Sequence, residues 1–202
     1  MEHHVYIVFS STPYRIGKAI RSITREKYNH VSISLDRELT QMYSFARRFY
    51  RTPFYGGFVK ESKARYHLKG VPSKIKICRL PVSQEAYDAL DNRLADMYLR
   101  KEQFLYNHLS ILTVPFHRLL PVKDAYICSE FVVQQLSLLG MPLNSRKYYS
   151  VGALDKLLDE YTVYTGNALP AENEDAEFFH AHPVPHFTTI RTFRRLLHRA
   201  IK

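Results

Sequence analysis

Ala125-Tyr126-Ile127-Cys128-Ser129-Glu130 runs into Phe131-Val132-Val133-Gln134-Gln135-Leu136-Ser137-Leu138-Leu139, and the reading of this chain turns on that stretch. The run from Phe131 is apolar enough for a largely buried helix, and Gly140 ends it where a left-handed cap costs glycine little. Cys128 therefore falls at or near the first turn. That turn presents unpaired N–H groups and the positive end of the helix dipole, an environment that favours a thiolate, the attacking form of cysteine. The plainer alternative is packing, because cysteine is among the most buried residue types. Cys78, the other of the two cysteines, lies inside a strand pattern with no helix start beside it and reads as core.

A nucleophilic cysteine needs a base within hydrogen-bond reach and a polar group that holds the base in the right tautomer. His30-Val31-Ser32-Ile33-Ser34-Leu35 alternates strictly, with the histidine and both serines on one face and the apolar residues on the other. A histidine recruited for packing would sit with Val31, Ile33 and Leu35, so His30 is the candidate base. Asp36-Arg37-Glu38 reads as a turn and Leu39 to Phe45 as the returning strand of a hairpin. A tight closure around Arg37 or Glu38 puts Met42 and Ser44 on the face of His30, and Ser44 is the polar one. Ser44 is thus the candidate orienter, with Gln41 or Tyr43 in its place if the register slips by one residue.

Outward from these segments, Val5 to Phe9 predicts a strand and Arg15 to Arg25 a helix with Ile16, Ala19, Ile20 and Ile23 at helical spacing. Residues 46–70, rich in Arg, Lys, Tyr and Phe and containing Pro53 and Gly56-Gly57, read as a long loop that leaves or covers the sheet. Lys74 to Leu80 predicts a strand, and Gln84 to Arg100 a helix with an apolar stripe through Leu90, Leu94 and Met97. Pro115 and Pro121 argue against a long helix over residues 103–123. A short helix at Ser150 to Tyr161, a strand at Thr162 to Tyr164 and an irregular segment over residues 166–186 follow. Thr188 to Lys202 closes the chain as a basic amphipathic helix. The elements read as one α+β domain over residues 1–202.

The 202 residues, 46% hydrophobic, suffice for one good core. The chain opens on Met-Glu-His-His and a short apolar strand rather than an export signal, no window approaches the roughly 20 apolar residues of a membrane span, and its two cysteines suit a reducing compartment, so it reads as soluble and cytoplasmic. The net charge of +10 attracts anionic surfaces, phosphates or acidic substrates without naming one. No ribonucleoprotein signature or zinc-finger spacing points to nucleic acid. His180, His182 and His186 lack the further ligand at firm spacing that a tetrahedral metal set needs, and nothing implies a cofactor. In the tail helix, Ile190, Phe193, Leu197 and Ile201 share a side; that side is expected to dock on the domain's own core, with an anionic membrane surface as the alternative.

The segments Ile16 to Ile20 and Lys27-Tyr28-Asn29-His30-Val31-Ser32-Ile33, followed about a hundred residues later by Tyr126 to Val132, resemble the permuted branch of the NlpC-type papain-like superfamily. That branch holds YiiX- and YaeF-like amidases, with lecithin retinol acyltransferase as a distant relative. The resemblance covers roughly residues 5–160. It implies a circularly permuted papain-like fold, an antiparallel sheet packed against the nucleophile helix, with the histidine strand ahead of the cysteine helix. It further implies Cys128 as nucleophile, His30 as base and a polar third group one strand later. At that third position relatives usually carry Glu, His or another strong acceptor, and this chain offers Ser44. Tyr126 and Ser129 are implied in lining the substrate or oxyanion site, together with the backbone N–H of Cys128. The expected activity is that of a cysteine hydrolase, amidase, peptidase or acyltransferase, acting on a small peptide, amide or lipid-like acyl substrate through a thioester on Cys128. The rival is a non-catalytic module that keeps the fold and holds an anionic partner or lipid surface through Arg47, Arg48, Arg51 and Lys60.

Overall fold

The computed structural model describes residues 3–114, 118–171 and 176–201. Pro115, Lys202 and the side chain of Ile16 lie outside the described residues. In chain order the elements are β1 (His3–Ser10), α1 (Arg15–Thr24), β2 (His30–Ser34), β3 (Met42–Arg47), β4 (Gly56–Glu61), β5 (His67–Leu68), β6 (Val71–Pro72) and β7 (Lys74–Val82). Then come α2 (Gln84–Leu99), β8 (Leu105–Tyr106), α3 (His108–Thr113), β9 (Ala125–Tyr126), α4 (Cys128–Leu138), α5 (Val151–Leu157), β10 (Thr162–Asn167), α6 (Ala176–His180) and α7 (His186–Ile201). The fold is α+β, organised on a six-stranded antiparallel sheet in the order β10-β7-β1-β2-β3-β4.

Alternation along the strands gives the sheet two buried faces. Val31, Ile33, Phe45 and Phe58 point to one face, where they meet Leu90, Leu94 and Met97 of α2 and Phe131, Val132 and Leu136 of α4 in the main core. Tyr6, Val8 and Met42 point to the other and pack with Tyr66, Ile75, Ile77 and Ala168 in a smaller core. A serine at 32 or 34 costs little on that second face because each finds a hydrogen-bond partner there.

Three expectations are corrected. The returning strand begins at Met42 rather than Leu39, because the Asp36 carboxylate accepts from the backbone N–H groups of Thr40 and Gln41 and stretches the connection into a wider loop. The face assignment survives this: Ser34 pairs with Met42, so even-numbered residues of β3 do share the face of His30. The second correction is larger. Residues 46–70 are not one loop, for they contain β4, paired with β3 along its whole length. Gly56 and Gly57, read as loop punctuation, are strand residues at a close crossing. A Cβ on Gly57 would stand 2.4 Å from the Phe104 carbonyl oxygen, and one on Gly56 2.8 Å from that of Ala46. Third, the segment 166–186 is not irregular throughout, since it holds α6.

Other elements stand close to expectation. Leu139 caps α4 and Gly140 follows at φ +88°. Of the apolar stripe expected on α1, Ile20 walls a cavity and Ile23 is exposed. Among the described residues no helix is long and apolar enough to cross a membrane.

Candidate active site

His30 heads β2 and Cys128 heads α4, and these two ends meet. Cys128 stands near enough to His30 to favour charge on its ring, although about a hundred residues of chain separate them. His30 Nε2 lies 2.7 Å from Glu61 Oε1 and 3.3 Å from Ser32 Oγ, so Nδ1 is the ring nitrogen that those two groups do not engage. Glu61 ends β4 and faces Met42 across the strand pair, so the register carries its carboxylate to the His30 face two strands away.

The carboxylate is enclosed by donors. Tyr66 donates to Glu61 Oε2 at 2.7 Å, Ser32 donates to the same oxygen at 3.2 Å, and Ser44 donates to Oε1. Burial works against charge on both partners, but each favours the charge of the other. Burial alone would push the His30 imidazolium down; the Glu61 carboxylate and the hydrogen bond to Cys128 outweigh it and raise it to about 10. Burial would push Glu61 up, yet His30 first, then Arg65 and Ser44, hold it at about 2. At neutral pH the pair is therefore an imidazolium and a carboxylate in direct contact.

Ser44 was expected to orient His30 directly. It does so at one remove: its hydroxyl binds the carboxylate that binds the ring. The missing acceptor is Glu61, hidden in the segment read as a loop. The run Phe58-Val59 after the glycines was the available strand signal, and pairing β4 to β3 would have put Glu61 on the even face.

Tyr126 is not a wall of the site. Its ring packs on Phe45 with centroids 5.1 Å apart and its hydroxyl bonds Gln134, nearly two turns along α4 from Cys128. Its neighbour across the parallel β8–β9 pair, Tyr106, lines the cavity instead, and charge at Cys128 is felt there and at Tyr148. Ser129 is buried in the first turn of α4. The N–H of Ile127 is taken by the Glu130 carboxylate at 3.3 Å, while the N–H groups of Cys128 and Ser129 begin the helix, where no intrahelical acceptor is available.

A cavity of about 310 Å³ opens beside His30. Its walls are mostly apolar and include Tyr14, Ile20, Phe45, Phe54, Tyr106 and Phe178. Two guanidinium groups, Arg47 and Arg65, share it and stack against Phe178 at 5.9 and 4.2 Å. Cys128 is 6% exposed and is not among the residues that line this cavity. Of the basic residues of the rival reading, Arg47 is in the cavity beside His30, Arg48, paired with Glu102, lines a second cavity together with Lys60, and Arg51 is exposed. Among the described residues, no three His, Cys, Asp or Glu side chains come together as metal ligands.

No family model matches this chain, and neither a curated protein nor a solved structure resembles it closely enough to count as a match.

Proposed function

We propose that the protein is a cysteine-dependent acyl hydrolase or acyltransferase of the permuted papain-like type, with Cys128 as nucleophile, His30 as acid and base, and Glu61 as the group that holds the ring. The observation that carries this reading is the buried His30–Glu61 pair at 2.7 Å, with Cys128 at the start of α4 near enough to favour charge on the ring. Buried imidazolium–carboxylate pairs contribute little to stability over an apolar replacement, so a fold that keeps one behind a thiol is more readily understood by its chemistry.

In the proposed reaction Cys128 Sγ, its proton held on His30, attacks the carbonyl carbon of an ester or amide, forming the C–S bond while the C=O π pair moves onto the carbonyl oxygen. The N–H groups of Cys128 and Ser129 at the start of α4 are suitably sited donors for that oxygen. Collapse of the intermediate breaks the bond to the leaving alcohol or amine, which receives a proton from His30. Water, or an acceptor alcohol or amine, then gives a proton to His30 and attacks the thioester, releasing the acid or the transferred acyl group and restoring the thiol. Glu61 keeps Nε2 engaged so that Nδ1 serves the thiol and the imidazolium is stabilised throughout. The cavity beside His30 pairs apolar walls with the guanidinium groups of Arg47 and Arg65, which suits an acyl substrate that also carries an anionic group.

Intact-mass measurement after incubation with an activated acyl ester tests this. One acyl adduct, mapped to Cys128 and released by hydroxylamine, is the expected result; no adduct there, or equal adducts on Cys78, refutes the proposal.

A further inference from the structure

The last helix is mounted the wrong way round for a soluble domain. An amphipathic surface helix ordinarily turns its apolar side to the core. At about 100° per residue, Phe187, Ile190, Phe193, Leu197 and Ile201 fall on one side of α7, and Leu196, Arg195 and Arg199 fall on the opposite side. The second side faces the domain. Leu196 is 1% exposed and packs with Leu105, Val122 and Ala125, and Arg199 donates to the carbonyl oxygens of Gln103 at 3.0 Å and Lys123 at 3.3 Å. The apolar side faces outward, with Phe187 at 68%, Ile190 at 53% and Ile201 at 87% exposure. The docking of that side on the core, expected from the sequence, does not occur.

Charge selects what would cover it. The helix contains no acidic residue, and the exposed Arg191, Arg194 and His198 stand beside or within the apolar side. A second copy of the chain would bring like charges together, since each carries a net +10. A convex apolar strip edged by arginine fits the interface of an anionic bilayer, where the rings and aliphatic groups enter the acyl boundary and the guanidinium groups meet phosphate. Position agrees with this. The chain leading into α7 is tied by the Val184 N–H to Thr52 Oγ1 at 3.2 Å, next to Pro53 and Phe54 on the rim of the cavity beside His30, and Phe54 is itself exposed.

We propose that α7 docks the protein on an anionic phospholipid surface through its outward side, bringing the rim of the cavity to the lipid. The docking does not depend on chemistry at Cys128. Full-length protein is sedimented with vesicles of phosphatidylcholine alone and of phosphatidylcholine with phosphatidylserine. Binding is expected to the serine-containing vesicles, weakened about tenfold or more by Ile190→Asp with Leu197→Asp, and also by Arg191→Glu with Arg194→Glu. Cys128→Ser is expected to bind like the wild type, so failure of the acyl chemistry would leave this result standing. Because all four substituted side chains are exposed, the melting temperature should not change. Absence of binding to either vesicle, or equal binding by wild type and both double variants, overturns the proposal. So does a wild-type dimer that the aspartate variant dissociates, which would assign the outward side to a second copy of the chain.

Discussion

The two cysteines lie in different parts of the fold, Cys78 within β7 of the sheet and Cys128 at the head of α4, and they differ in what surrounds them. Cys78 sits in β7 opposite Ile7, fully buried; its thiol donates to the Leu158 carbonyl at 3.2 Å, and burial pushes it up to about 11. The nearby cation, Lys76, is committed elsewhere, to Asp155 at 2.7 Å and Asp159 at 2.8 Å. Cys128 is nearly as buried, but it begins a helix and touches an imidazole that a buried carboxylate keeps protonated. Burial therefore does not distinguish a structural thiol from the proposed nucleophile. The difference lies in the charge of the hydrogen-bond partner and whether that partner is itself held in place.

The strongest way to break this comparison is to remove each sulfur in turn. Cys128→Ala should lower hydrolysis of a reporter ester by about 10⁴-fold or more, and Cys78→Ala should leave it within about twofold. His30→Ala should lower the same rate by roughly 10²–10⁴-fold. Alkylation by iodoacetamide near neutral pH should modify Cys128 about 10²-fold faster than Cys78, and His30→Ala should narrow the gap; similar rates at both thiols would erase the contrast.

Glu61→Gln sharpens the comparison through pH. The His30 contribution to stability is full below 6.5, its ordinary value, and fades as pH rises towards about 10. That of Glu61 is full above 4.5 and fades as pH falls towards about 2. The stability advantage of the wild type over Glu61→Gln should thus be greatest between pH 4.5 and 6.5, at roughly 1.5–3 kcal/mol, and shrink on either side. Melting curves across this range measure it, and a pH-independent difference would deny the ion pair. The smallest effect is expected for Ser44→Ala, which removes one donor from a carboxylate that keeps three other partners. A loss of about 1 kcal/mol, with ester hydrolysis slowed less than tenfold, would separate a support for Glu61 from a direct partner of the ring.

Much of the arrangement was legible because it depends on local periodicity. Strict alternation from His30 to Leu35 announced both the strand and the face of the histidine, and the apolar run ended by Gly140 announced the α4 helix with Cys128 at its start. Glu61 was not legible in the same way. Its role depends on β4 joining β3, and the Gly56-Gly57 pair that lets β8 approach that strand carries the signature of a loop. Tyr126 and Tyr106 show the same limit. They are neighbours across a two-residue strand pair, too short for alternation to say which hydroxyl faces the cavity.

By itself, then, the sequence determined most of the helices and strands, β4 and α6 excepted, and which side chains share a face in the strictly alternating strands, since both follow from backbone geometry over a few residues. Only the tertiary structure decided that the acceptor for His30 comes from two strands away and that α7 turns its apolar side outward. Those outcomes depend on strand partners and on which side of a helix finds carbonyl oxygens to bind, and such partners lie many residues distant along the chain.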